Sequence, residues 1–108
     1  MIYEYRCYTV MPGKMEALQN RFRDHTIKLL EKHDIKPICF FTPIISQASN
    51  QFIWIVEFRD MAHREAAWAA FGADPEWQKA LADSHKDGII VEYIENKILA
   101  PTDFSPLK

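Results

Sequence analysis

Five consecutive apolar residues, Phe52-Ile53-Trp54-Ile55-Val56, set the strongest constraint on this 108-residue chain. Successive side chains of a strand point to opposite faces, so such a run needs cover on both sides. The run Ile38-Cys39-Phe40-Phe41 makes the same demand. Against these strands the chain offers only two helical stretches. Lys14 to His33 carries Met15, Leu18, Phe22, Leu29 and Leu30 at helical spacing, with Glu16, Asn20, Asp24, Lys28 and Glu31 opposite. Met61 to Phe71 forms the first half of the other stretch, capped by Asp60. Gly72-Ala73 interrupts it, and Asp74-Pro75-Glu76-Trp77 restarts it with Asp at the cap and Pro at the first helical position, to about His85.

The remaining elements follow from alternation and turn residues. Ile2 to Val10 reads as a first strand, closed by Met11-Pro12-Gly13. Ile38 to Ile45 reads as a second, with Pro37 and Pro43 suited to a sheet edge. A polar turn, Ser46 to Asn50, joins it as a hairpin to a third strand, Phe52 to Phe58. Asp87-Gly88 precedes a fourth, Ile89 to Leu99. The order β-α-β-β-α-β predicts an α+β, ferredoxin-like sandwich over residues 1–100, with two helices on one face of an antiparallel sheet and an extended tail at 101–108. Two helices cover one face only, and a bare second face would exceed the apolar patch that monomers tolerate. A second copy is the expected cover, giving a homodimer.

Parity then sorts candidate site residues. In the first strand the uncharged set Tyr3, Tyr5, Cys7 and Thr9 suits the side under the helices. Ile2, Glu4, Arg6, Tyr8 and Val10 fall on the opposite, dimer side. Charges placed there need partners or a wet cavity, which predicts a polar-lined pocket. Glu4, Arg6 and Tyr8 are its candidate lining. In the third strand, charge puts Glu57 in the pocket, whereas aromatic lining puts Trp54 and Phe58 there; both choices stay open. His25, one turn after Phe22 on the edge of the helical stripe, is a further candidate.

Other chemistry is excluded or unsupported. Thirteen basic and fifteen acidic residues give a net charge of -2, which argues against nucleic-acid or anionic-membrane binding by charge. The uncharged stretch from Pro37 to Phe52 is too polar to span a bilayer. The sequence holds no G-x-G-x-x-G, no phosphate-binding lysine loop and no G-x-S-x-G elbow. His25, His33, His63 and His85 lack metal-ligand spacing, and neither Cys7 nor Cys39 belongs to a C-x-x-C. No cofactor or metal is expected. Trp77 reads as a core anchor, and His85 as a cation complementing a helix end. Two isolated cysteines in strand-like runs suit small buried thiols in a reducing, cytoplasmic setting.

The segment Tyr3-Glu4-Tyr5-Arg6-Cys7-Tyr8-Thr9-Val10 followed by Pro12-Gly13-Lys14 resembles the start of NIPSNAP-family proteins. Leu30-Glu31-Lys32-His33, Ile35-Lys36-Pro37, Phe58 to Glu65, Asp74 to Trp77 and the tail from Pro101 to Lys108 continue the likeness in order. Tyr5 and Cys7 depart from the leucine and threonine common there. The resemblance implies a dimeric α+β barrel and supplies no catalytic signature. Three functions follow as expectations. The first is a small-molecule-binding dimer in which Arg6 holds an anionic or carbonyl group, Tyr8 hydrogen-bonds, and Glu4 or Glu57 orients Arg6. The second is a cofactor-independent monooxygenase or isomerase for an aromatic or enolic substrate, using Glu57, Glu4 or His25 as base. The third is a non-catalytic structural or interaction dimer.

Overall fold

The computed structural model describes residues 1–108. Strand β1 spans Ile2–Val10, and the long amphipathic segment follows as α1 (Met15–Arg21), a π-helical turn (Phe22–Thr26) and α2 (Ile27–Lys32). Then come β2 (Lys36–Phe41), β3 (Gln51–Phe58), α3 (Met61–Ala73), α4 (Pro75–Ser84) and β4 (Val91–Leu99). The four strands form one antiparallel sheet in the order β2-β3-β1-β4. Residues 100–108 form neither helix nor strand. This is the expected α+β, ferredoxin-like arrangement. None of its helices is long and apolar enough to cross a membrane.

Several element ends differ from the sequence reading for local reasons. The helical break falls at Asp74 and not at Gly72-Ala73, because the residue before Pro75 is pushed to an extended conformation (φ -71°, ψ 121°). Strand β2 begins earlier, at Lys36, and stops at Phe41. Beyond it Ile44 and Ile45 are almost fully exposed, so residues 42–50 make a long connection in place of a short hairpin turn. Pro37 is accommodated because β2 is an edge strand and its ladder to β3 shifts register between Pro37 and Cys39. Helix α2 ends where Asp34 takes a left-handed conformation (φ 59°), a state short polar side chains tolerate best.

The face assignment of β1 is reversed from that expected. Arg64 and Trp68 of α3 donate to Glu4, and Phe22 packs on Phe52 and Trp54 at 4.9 and 5.2 Å between ring centroids. The helices therefore lie over Glu4, Arg6, Tyr8 and Val10. The uncharged set Tyr3, Tyr5, Cys7 and Thr9 faces the other way. Burying the carboxylate is feasible because its donors come from elements distant in sequence, which parity within one strand cannot reveal. The core between the layers gathers Leu18, Leu30, Ile35, Trp54, Val56, Phe58 and Ile90, all nearly inaccessible to water.

The second face of the sheet carries no helix. In register across it lie Phe41 and Ile53, Cys39 and Ile55, Ile55 and Tyr5, Thr9 and Tyr93, and Tyr3 and Leu99. Phe41, Tyr93 and Leu99 are well exposed there. The apolar surplus noted in the sequence thus resides on this open face.

Candidate functional site

A cavity of about 680 Å³ opens between the sheet and the helices. The sheet supplies Arg6, Tyr8 and Trp54 as its floor, and β4 adds Glu92, Tyr93 and Ile94 at the rim. Arg21, Phe22 and Thr26 enter from the long helix, Trp68, Phe71 and Gly72 from α3, and Trp77, Leu81 and His85 from α4 and its end. Its volume lies within the range of small-molecule sites, and its walls are mostly aromatic with a few polar groups.

The π-helical turn shapes one wall. The Thr26 hydroxyl donates to the carbonyl of Arg21, five residues back, at 3.3 Å. The widened turn carries Arg21, Phe22 and Thr26 toward the cavity while His25 stays exposed on the outer surface. His25 instead borders a shallow depression with Glu76, Lys79 and Asp83. It is not a site residue of the cavity. Such turns recur at functional sites because they redirect side chains without ending a helix.

Glu4, expected to line the pocket, is fully buried behind Arg6 and does not reach the cavity. Its Oε1 accepts from Arg64 Nε at 2.8 Å and Trp68 Nε1 at 2.9 Å. Its Oε2 accepts from Arg6 Nη1 at 2.8 Å, Asn96 Nδ2 at 3.1 Å and Arg64 Nη2 at 3.3 Å. Burial alone would raise the Glu4 pKa, but the bonds from Arg64, Trp68 and Asn96 and the charge of Arg6 outweigh it and hold the pKa at about 2. A carboxylate so held cannot serve as a base of raised pKa. Glu4 positions Arg6.

Arg6 lies in an aromatic box. Its guanidinium carbon is 4.9 Å from the Trp68 ring centroid and 5.6 Å from those of Tyr8 and Trp54. Its Nη2 reaches the Tyr8 hydroxyl at 3.4 Å, and its buried Nε has no partner within the protein. Trp54 and Tyr8 are both buried against it, so the aromatic choice for the third strand is the one realised. Phe58 shares that face but lies in the core, against Trp68 and His63, and does not reach the cavity. Glu57 points to the open face beside Lys36, 3.9 Å away, and cannot orient Arg6.

Of the cavity residues, the sequence singled out only Arg6, Tyr8 and Trp54 as site candidates; among those it missed, Arg21, Trp77, His85 and Trp68 matter most. Arg21 is 7% exposed, stacks over Trp77 at 5.4 Å and donates from Nη1 to the Ser84 hydroxyl at 3.3 Å. Burial pulls its pKa below the ordinary arginine value, with only Tyr8 opposing. Trp77 packs on Phe71 at 4.7 Å, so it is a core anchor that also lines the cavity. His85 ends α4 on the cavity wall, and Trp68 links the Glu4 carboxylate to the aromatic box. One signal for Arg21 was present: it stands three residues after Leu18 and one before Phe22, on the apolar stripe. The residues contain no grouping of three His, Cys, Asp or Glu side chains able to hold a metal. Cys7 and Cys39 are unpaired.

The NIPSNAP family profile matches residues 3–106. This chain belongs to the NIPSNAP family. Solved structures agree. A NIPSNAP family protein of unknown function from Agrobacterium tumefaciens (Atu4242) is 30% identical, with a TM-score of 0.88 over 100% of this chain and 94% of its own. A second, Atu5224 of the same organism, is 29% identical, with a TM-score of 0.88 over 99% and 98% of the two chains. No functionally curated protein matches the chain significantly. A putative antibiotic biosynthesis monooxygenase from Nitrosomonas europaea shares the fold at a TM-score of 0.59, covering 94% of this chain and 98% of its own, at 14% identity. That likeness concerns architecture alone. Within the NIPSNAP fold the cavity, the buried Glu4 and the Arg6 box are this chain's candidate site.

Proposed function

We propose that this NIPSNAP protein is a small-molecule-binding homodimer that takes a flat, unsaturated, oxygen-bearing ligand into each subunit's cavity. The observation that carries this reading is the Arg6 guanidinium, fixed by Glu4 within walls formed by Tyr8, Trp54 and Trp68, beside about 680 Å³ of open space. A planar ring stacks on such walls, while Arg6 and the Tyr8 hydroxyl meet a carbonyl or hydroxyl oxygen. Because Arg6 is already paired with Glu4, a neutral oxygen suffices at this end. The apolar open face supports dimerisation through the sheet. The two unpaired thiols support a reducing, cytoplasmic setting.

Gly72 provides the test. It lines the cavity from α3, and a Cβ added there meets nothing within 4 Å. Gly72→Phe therefore places a ring at the exposed mouth of the cavity without a backbone clash and removes a flexible residue from a helix. Isothermal titration with 2-naphthol is expected to show one site per wild-type chain and none in Gly72→Phe, with far-UV circular dichroism unchanged. Equal binding by both proteins, or none by the wild type, refutes the cavity as the site.

A second reading, cofactor-independent oxygenation or isomerisation, draws on His85, whose imidazole lines the cavity wall where a general base would stand. Oxygen uptake with hydroquinones that disappears in His85→Ala supports it. Absence of uptake across such substrates refutes it.

A further inference from the structure

Two guanidinium groups line the cavity, and the protein treats them differently. Arg6 meets the buried carboxylate of Glu4. Arg21 meets no acid at all: its ion-pair partners number none, its Nε is buried without a hydrogen bond, and of its five N–H donors one reaches a protein acceptor, Ser84 Oγ at 3.3 Å. It is nonetheless 93% removed from water, by the complement of its 7% exposure. An arginine does not escape such a position by losing its proton, because its pKa is too high. A buried cation left this way is costly unless something pairs with it. The face of Trp77 and the hydroxyl at the end of α4 relieve that cost only in part.

We infer that Arg21 is the anion anchor of the cavity and that the ligand is an aromatic carboxylate, its acidic group bound at Arg21 and its ring among Trp54, Trp68 and Trp77. This rests on the cavity being the ligand site and deepens that reading by naming the ligand's chemical class. The Arg21 guanidinium over the Trp77 ring keeps a planar N–H fork, and a planar carboxylate matches such a fork with two parallel bonds. The Thr26 and Ser84 hydroxyls donate to the carbonyls of Arg21 and Leu81, so the N–H groups of Arg21 are the donors left free for an anion. Glu4 is committed to Arg64, Trp68, Asn96 and Arg6 and offers nothing to Arg21, the cavity guanidinium with no carboxylate partner.

The experiment compares an acid with its neutral isostere. Dissociation constants of 2-naphthoate and 2-naphthamide are measured by isothermal titration on the wild type, Arg21→Met and Ser84→Asp. The first variant removes the charge; the second places a carboxylate beside Arg21 and so supplies its counter-ion from within. A charge-assisted bidentate contact is expected to favour the acid about tenfold or more in the wild type. Both variants are expected to bring the ratio near unity, through a loss of affinity for the acid that exceeds any change for the amide. Should Arg21→Met fail to fold, Ser84→Asp alone decides, since it adds an ion pair. Equal affinity for acid and amide in the wild type overturns the anchor while the cavity reading survives. An acid preference that persists in either variant places the recognition elsewhere and overturns it too. Binding of neither compound, together with loss of 2-naphthol binding, overturns the cavity reading along with it.

Discussion

Glu4→Gln is the perturbation whose consequences the structure fixes most closely. The wild-type carboxylate is fully buried and its pKa falls from the ordinary 4.5 to about 2. That difference corresponds to about 3 kcal/mol of folding stability at neutral pH, at about 1.4 kcal/mol for each pH unit. Because the folded-state pKa is the lower one, the contribution is complete above pH 4.5. It is lost as the pH falls through 4.5 toward 2. Glutamine keeps one acceptor for Arg64 and Trp68 but turns an NH₂ group toward Arg6 Nη1 and Asn96 Nδ2, donor against donor. It also leaves Arg6 and Arg64 without their counter-ion, a change that costs about 3–5 kcal/mol in buried pairs. Urea unfolding followed by tryptophan fluorescence, at one fixed protein concentration, measures the gap between the two proteins. The expected gap is about 3–5 kcal/mol at pH 7, narrowing steadily between pH 4.5 and 2 as the wild type takes up its proton. The other acids titrate in both proteins and cancel in the difference. A gap below about 1 kcal/mol at pH 7, or one unchanged down to pH 2, would falsify the account of Glu4 as a buried anion that positions Arg6.

Two further expectations concern other parts of the fold. Asp74 caps α4 by accepting from the backbone of Glu76 at 2.9 Å and also receives His33 at 2.7 Å and Lys32 at 2.8 Å. Its bonds to Lys32, His33 and the Glu76 backbone hold its carboxyl well below the usual range. Asp74→Asn is expected to lower the thermal midpoint at pH 7, with the difference closing in strong acid; equal midpoints at pH 7 refute the ion-pair role. Ile55 sits on the open face opposite Tyr5 and Cys39. If two sheets meet there, the wild type runs as a dimer in native mass spectrometry at micromolar concentration, and Ile55→Lys runs as a folded monomer. A monomeric wild type sinks the dimer.

The fold was legible because its signals are local. The Leu18, Phe22, Leu29 and Leu30 stripe, the Asp-Pro start at Asp74-Pro75 and the apolar run of β3 each depend on neighbours in sequence. The site was less legible because its partnerships are distant. Uncharged side chains looked suited to the space under the helices, yet Glu4 lies there because Arg64, Trp68 and Asn96 converge on it from sixty or more residues away. Glu57 and Trp54 could not be sorted by alternation, since parity separates two faces without saying which is covered. His25 was misplaced for a different reason. It follows from counting an even α-helical pitch through Phe22–Thr26, where the backbone takes a wider turn.

That wider turn limits how the chain can change in length. The turn takes up one residue more than the α-helical pitch requires, so Leu18 and Arg21 before it and Leu29 and Leu30 after it are all buried on the inward side. Deleting one residue within Phe22–Thr26 would let the turn relax to an α-helix with that phase kept, whereas deleting one in Met15–Arg21 or Ile27–Lys32 would rotate one half against the other by about 100°. Either Leu18 would then leave the core or Leu29 and Leu30 would. Residues 42–50, with Ile44 and Ile45 in solvent, carry no such phase and leave room for lengthening. Evolution can therefore adjust this chain by insertion at the sheet edge, while the helix beside the cavity admits a change in residue count only at its wide turn.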